Sequence, residues 1–169
     1  SEMCIRDRDL YVGMDLGATS DLTAVSLVWE TGGTFYVDFQ AWIPEDAFKA
    51  APVHVKSTYR QAVESGHLRM TEGNVADHDA VYKYLMDLSE REQVKEIAFD
   101  SWSAVHLTSR LTEAKLPMIR YDQSMKSMSP ASKQAEMLIK NRSLLHLGKP
   151  FFGWCFNNCE AYFLSLIHI

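Results

Sequence analysis

The sequence predicts an α/β domain built on one mixed sheet: an antiparallel three-strand meander followed by βαβα units, with helices on both faces. Three observations lead there. Near the N-terminus, three β-rich runs succeed one another with only turn residues between them. Past residue 77, helical periodicity and short extended runs alternate, the order that builds parallel strands through crossover helices. The length of 169 residues, with 47% hydrophobic and 23% charged residues, suits one core-forming domain and not two.

The elements follow in order. Leu10 to Asp15 is a short apolar run closing on an acid, read as a buried strand. Gly17 to Ser20 supplies a turn, and Leu22 to Trp29 is rich in β-formers. Thr31-Gly32-Gly33-Thr34 is a hairpin signal. From Phe35 to Ile43 the chain alternates, placing Phe35, Val37, Phe39 and Ala41 on one face. Pro44 ends the meander. A helix is expected from about Pro52 to Ser65, stopped at Gly66, then a short extended piece from His67 to Thr71. Asp77 is a suitable N-cap for a helix reaching about Glu92, with Val81, Tyr84, Leu85 and Leu88 spaced by three and four.

Val94 to Phe99 is a second apolar run, and it too ends on an acid, Asp100. Ser103 can cap a helix that turns Ala104, Leu107, Leu111 and Ala114 toward the sheet. Pro117 to Tyr121 reads as a strand. Ser129-Pro130 is expected to open a helix ending near Lys140, with proline at its first position. Leu144 to Asn157 is expected to be extended, interrupted at Gly148-Lys149-Pro150.

Composition excludes several classes. No apolar run reaches the roughly 20 residues that span a bilayer, and no signal-peptide pattern opens the chain. Cytoplasm is the default expectation. Three cysteines (Cys4, Cys155 and Cys159) do not make a secreted disulfide framework. Cys155 and Cys159 could form half of a zinc site, but no second ligand pair with suitable spacing follows; two ordinary thiols is the reading preferred. The net charge of −5 speaks against a large non-specific nucleic-acid surface. It is compatible with a carboxylate site that gathers cations.

Asp15 and Asp100 close the two apolar strands. If the first strand of the meander lies beside the first strand of the βαβ part, both acids meet at one edge of the sheet. Hard divalent cations such as Mg²⁺ or Mn²⁺ take oxygen ligands and keep room for water and substrate phosphates. Acids at strand ends also serve as turn formers and caps, so this pattern leaves both uses open.

The string Val12-Gly13-Met14-Asp15-Leu16-Gly17-Ala18-Thr19-Ser20-Asp21-Leu22-Thr23-Ala24 resembles the opening of the nuclease domain of tailed-phage large terminase subunits. The resemblance continues through Ala41 to Glu45, the Tyr59 segment leading to Gly66 and Leu68, Thr71 to Asp77, and Ile97 to Trp102. It runs on through Pro117-Met118, Gln123, Met128-Ser129-Pro130, Glu136, His146, Pro150, Trp154 and Asn157. No one of these elements is specific; their number and order are. The resemblance implies an RNase H-like fold and an endonuclease that cuts concatemeric double-stranded DNA during viral genome packaging. It implies two-metal hydrolysis with Mg²⁺ or Mn²⁺ on Asp15 and Asp100, and a third acid from a segment beyond Asn157, past the end of these residues. An ATPase motor domain, a small terminase subunit and a portal are the implied partners, and the host cytoplasm the implied location. No Gly-x-x-x-x-Gly-Lys-[Ser/Thr] motor motif occurs here.

Other residues carry paired readings. Asp21 is a possible acid behind the metal ligands, or a turn acid. Lys126 and Lys133 are possible DNA contacts, or solvated lysines. Glu136 is a salt-bridge partner or an acid at the site's edge; His106 and Trp102 are read as surface or packing residues. Gly13 to Thr19 also resembles the first phosphate-binding turn of actin-like sugar kinases, though no second Asp-x-Gly turn follows. A non-catalytic DNA- or partner-binding module is the third reading. Residues 1–8 (SEMCIRDR) and 164–169 resemble translated sequencing-adapter read-through, which places the domain at 9–163; a frayed start and a short last strand are the alternative.

Overall fold

The computed structural model describes residues 8–17, 21–100, 105–146 and 148–160. The meander forms as expected: β1 (Asp9–Asp15), β2 (Thr23–Thr31) and β3 (Thr34–Pro44) pair antiparallel in sequence. Gly32 and Gly33 both take positive φ at the β2–β3 hairpin, the conformation its two-residue turn requires. A short helix, α1 (Glu45–Ala50), follows Pro44 directly; it was not anticipated, because six residues give too little periodicity to read. Next come α2 (Val53–Glu64), β4 (Leu68–Thr71) and α3 (His78–Arg91). Asp77 caps α3 as its sequence position predicts, its carboxylate accepting the amides of Asp79 at 2.9 Å and Ala80 at 3.0 Å.

The second half supplies β5 (Gln93–Asp100), α4 (Val105–Glu113), β6 (Met118–Tyr121), α5 (Met125–Lys140), β7 (Leu144–His146) and α6 (Pro150–Asn157). Ser103, Ala104 and Trp102 lie outside the described residues. Two expectations are corrected here. The α5 helix begins at Met125 and not at Pro130, because the amides of Ser127 and Met128 already turn back onto the Ser124 carbonyl at 3.0 and 2.9 Å. Pro130 sits inside that helix, exposed, where water can serve the carbonyl it cannot bond. The stretch 144–157 is extended only over β7. Beyond Gly148, Pro150 starts α6 at a position where its missing N–H costs nothing, and Phe151, Trp154 and Cys155 share an inward face at helical spacing.

Strand order is β4-β3-β2-β1-β5-β6, with β7 lying beside the other end of β3. β5 pairs parallel with both β1 and β6, so the meander and the crossover half share one sheet. On one face α3 and α4 bury Val81, Leu85, Leu107 and Leu111 against Leu10, Val12, Val25 and Ile97. On the other, α1, α2 and α6 gather around Ile43, Ala62, Leu68 and Phe151 at the β3–β4 side. Between β6 and β7, helix α5 must travel back across five strand intervals, about 24 Å. Its sixteen residues reach about 24 Å, and the linking residues on either side complete a diagonal crossing. None of its residues is buried.

Packing and capping should differ in what they contribute. Leu85→Ala, at a fully buried position in the α3–sheet contact, should cost about 3 kcal/mol in urea unfolding. Asp77→Ala, which removes only an exposed cap, should cost about 1 kcal/mol. Equal losses would contradict this division.

Candidate metal centre

The β1–β5 register decides the site. Met14 stands opposite Phe99, so Asp15 and Asp100 follow as neighbours at the ends of adjacent parallel strands, about 4.8 Å apart along the sheet. The pairing Asp15–Ala24 on one side and Asp100–Tyr121 on the other extends this into a row across four strands. Asp15 is exposed and Asp100 half-buried. One strand repeat earlier, Ser26, Gly13 and Ala98 form a second row on the same face. These side chains are small, and an open cavity of about 320 Å³ lies above them. Met128 and Ala131 of α5 roof it, and Tyr121 and Gln123 line its side. Asp15 and Asp100 are the only charged groups among the described residues that line it.

Glycine is required twice near this floor. A Cβ on Gly13 would stand 2.6 Å from the Ser26 Oγ, which itself donates to the Gly13 carbonyl at 3.2 Å. A Cβ on Gly17 would meet the backbone carbonyl oxygen of Asp21 at 2.7 Å. Beside the site, the Tyr121 hydroxyl donates to the Ser127 carbonyl at 3.1 Å. The Asp122 carboxylate accepts from the Ser124 hydroxyl, from its amide at 3.1 Å and from the Ser127 hydroxyl. Those bonds, the Ser124 hydroxyl foremost, hold the Asp122 carboxyl below the usual carboxylate range. Asp122 and Tyr121 thus tie the start of α5 to the end of β6. Sequence reasoning passed over them, although Asp122-Gln123-Ser124 is a turn-and-cap pattern.

Other anticipated residues fall elsewhere. Asp21 is exposed at the entrance to β2 and does not line the groove. Lys126 and Lys133 are exposed on α5, each two residues from a groove-lining side chain, hence about 200° around the helix from it. Glu136 pairs with Lys140 one turn on, the salt-bridge alternative. His106 is exposed. Cys155, in α6, is half-buried and Cys159, beyond its end, is exposed, and no group of three or more metal-ligating side chains forms among the described residues. Burial pushes the Cys155 thiol up, which suits a packing role.

A mixed sheet in 3-2-1 meander order, extended by two parallel crossover strands and carrying acids at the ends of β1 and β5, defines the RNase H-like nuclease fold. The family described as terminase large subunit, endonuclease domain, matches residues 2–163, and the chain belongs to it. The terminase large subunit of Enterobacteria phage HK97 is 27% identical over 151 residues, covering 88% of this chain and 30% of that protein. The crystal structure of the HK97 large terminase superposes with a TM-score of 0.75 at 26% identity, covering 91% of this chain and 34% of that one. The chain therefore spans about a third of the relatives it matches. The match assigns it to the nuclease family and not to the sugar-kinase group that the Gly13–Thr19 string also resembles.

The two glycines should respond differently to a methyl group. In Gly13→Ala the obstacle is a rotatable hydroxyl, so unfolding free energy should fall by about 1 kcal/mol or less. In Gly17→Ala the obstacle is backbone, and the loss should reach about 2 kcal/mol. Chemical denaturation of both variants measures the order, and a costlier Gly13→Ala would contradict the geometry.

Proposed function

We propose that this chain is the DNA-cutting part of a phage packaging terminase and that Asp15 and Asp100 hold its divalent metal ions. The observation that carries the reading is the adjacency of the two carboxylates at the ends of β1 and β5, at the mouth of an open groove. The donor set fits the group. Carboxylate oxygens suit hard Mg²⁺ or Mn²⁺, and Mg²⁺ is commonly held by one or two carboxylates with water and substrate phosphates completing its shell. When bound, a pair of such ions supplies an activated water and charge stabilisation at the leaving oxygen of a phosphodiester. The chain's own residues hold the acids in register, keep the floor beneath them free of bulk, and present no basic group to the groove among those described.

The substrate proposed is double-stranded concatemeric DNA, with phosphate contacts positioning the duplex at the exposed Asp15 rim. Lys126 and Lys133, on the outer side of α5, would touch the duplex only away from the scissile phosphate. Asp21, exposed at the entrance to β2, would act only from outside the groove. The proposal extends to the partners of a packaging machine: an ATPase motor domain, a small terminase subunit and a portal, met in the host cytoplasm. No helix among the described residues is long and apolar enough to cross a membrane.

Supercoiled plasmid incubated with the chain and Mn²⁺ should be nicked or linearised, and EDTA should stop the reaction. Asp15→Asn and Asp100→Asn should each lower the rate on the order of a hundredfold. Cutting that survives both substitutions, or that ignores EDTA, would remove the metal-site reading.

A further inference from the structure

We infer that Thr23 is a positioning residue that fixes the backbone carrying Asp15, acting from the opposite face of the sheet; the inference rests on the metal-site reading above. Thr23 opens β2 and is 2% exposed. It lies in an inward row with Val25 and Leu27, opposite Trp42, on the side packed by α3 and α4. Valine has the same shape and would suit that apolar row without a hydroxyl to satisfy, so packing alone gives no reason for threonine there. What the hydroxyl adds is a hydrogen bond, in which Oγ1 accepts the amide of Gly17 at 3.1 Å.

That bond falls where the site needs stiffness. Asp15 pairs with Ala24 as the last step of the β1–β2 ladder. Met14 before it and Leu16 after it are both buried in the core, 4% and 7% exposed, which leaves the Asp15 side chain pointing the other way. Gly17 comes next, and glycine is the residue least able to hold its own conformation. Here it is held from two sides. The Thr23 hydroxyl takes its amide, and its Cα stands so close to the Asp21 carbonyl that no side chain fits. The chain is thereby fixed at the residues before and after Asp15, and the carboxylate projects from a backbone that cannot swing. Thr23 touches neither the groove nor anything in it.

The test uses Mn²⁺ binding to this chain, followed by the electron paramagnetic resonance of free Mn²⁺, so it does not depend on turnover. Asp15→Asn and Asp100→Asn set the floor. Thr23→Ser, which keeps the hydroxyl, should bind as the parent does. Thr23→Val should bind about tenfold more weakly while keeping the parent's thermal midpoint, as loss of a partner behind a metal ligand does. Thr23→Ala serves the same purpose should the valine variant fail to fold. Amide exchange at Gly17 should accelerate in the valine and alanine variants and not in the serine variant. Parent-like Mn²⁺ affinity in Thr23→Val would overturn the inference and leave the metal site standing. Weaker affinity without faster exchange at Gly17 would also overturn it, since the effect would then come from packing. A parent chain that binds no more Mn²⁺ than the Asp15 and Asp100 variants would overturn the metal-site reading, and this inference with it.

Discussion

The parallel pairing of β1 with β5 is the constraint on which the rest of the structure depends. It joins a hairpin-built half to a crossover-built half, and past a bulge between Leu10 and Tyr11 it keeps one register up to the acids. A shift of a single residue would send Asp100 to the opposite face while Asp15 stayed in place. What holds the register is burial: Val12 and Met14 of β1, and Ile97 of β5, must all face α3 and α4. The hydrophobic pattern therefore sets the geometry of the carboxylates from the opposite face of the sheet.

The two faces of the sheet divide the work accordingly. One is closed by α3 and α4, which are further joined by an Arg110–Asp79 ion pair and by Arg110 stacking 4.2 Å from the Tyr82 ring centroid. Such exposed links add little to stability beside the leucines beneath them. The other face is covered at the β3–β4 side by aromatic packing among Phe39, Tyr59, Phe151 and Trp154. It is left low over β1, β2 and β5, where glycine, serine and alanine provide the floor. Lys149, paired with Asp38, secures the approach to α6 at the far edge.

Much of this was legible in the residues because the signals are local. Apolar runs ending in Asp15 and Asp100 marked two strands, Thr31 to Thr34 marked the hairpin, and Asp77 marked a cap that the structure shows bonded. Adjacency of the two acids could only be supposed, since strand order is a long-range property; the family resemblance supplied the order. The failures have equally local causes. Pro130 looked like a helix start because proline favours that position, but Asp122 and Ser124 had already begun the turn. Pro150 to Asn157 looked extended because its many aromatics are strand-formers, whereas the spacing of Phe151, Trp154 and Cys155 was helical. Thr23 left no mark at all: a single hydroxyl in an apolar row is visible only once Gly17 is seen beside it.

The diagonal helix α5 has a consequence for how the domain comes apart. It spans the sheet from β6 to β7 yet buries none of its own residues; the Tyr121 hydroxyl of β6 holds its first turn, and just past its end the Phe35 amide of β3 bonds the Ser143 carbonyl. Its free energy of detachment is thus uncoupled from that of the α3–α4 core. The domain is a two-tier object, with a tightly cooperative slab carrying the acids and a loosely attached bar above them. Proteases and exchanging solvent would meet the bar long before the slab, and the groove can widen or narrow without any loss of the register beneath it.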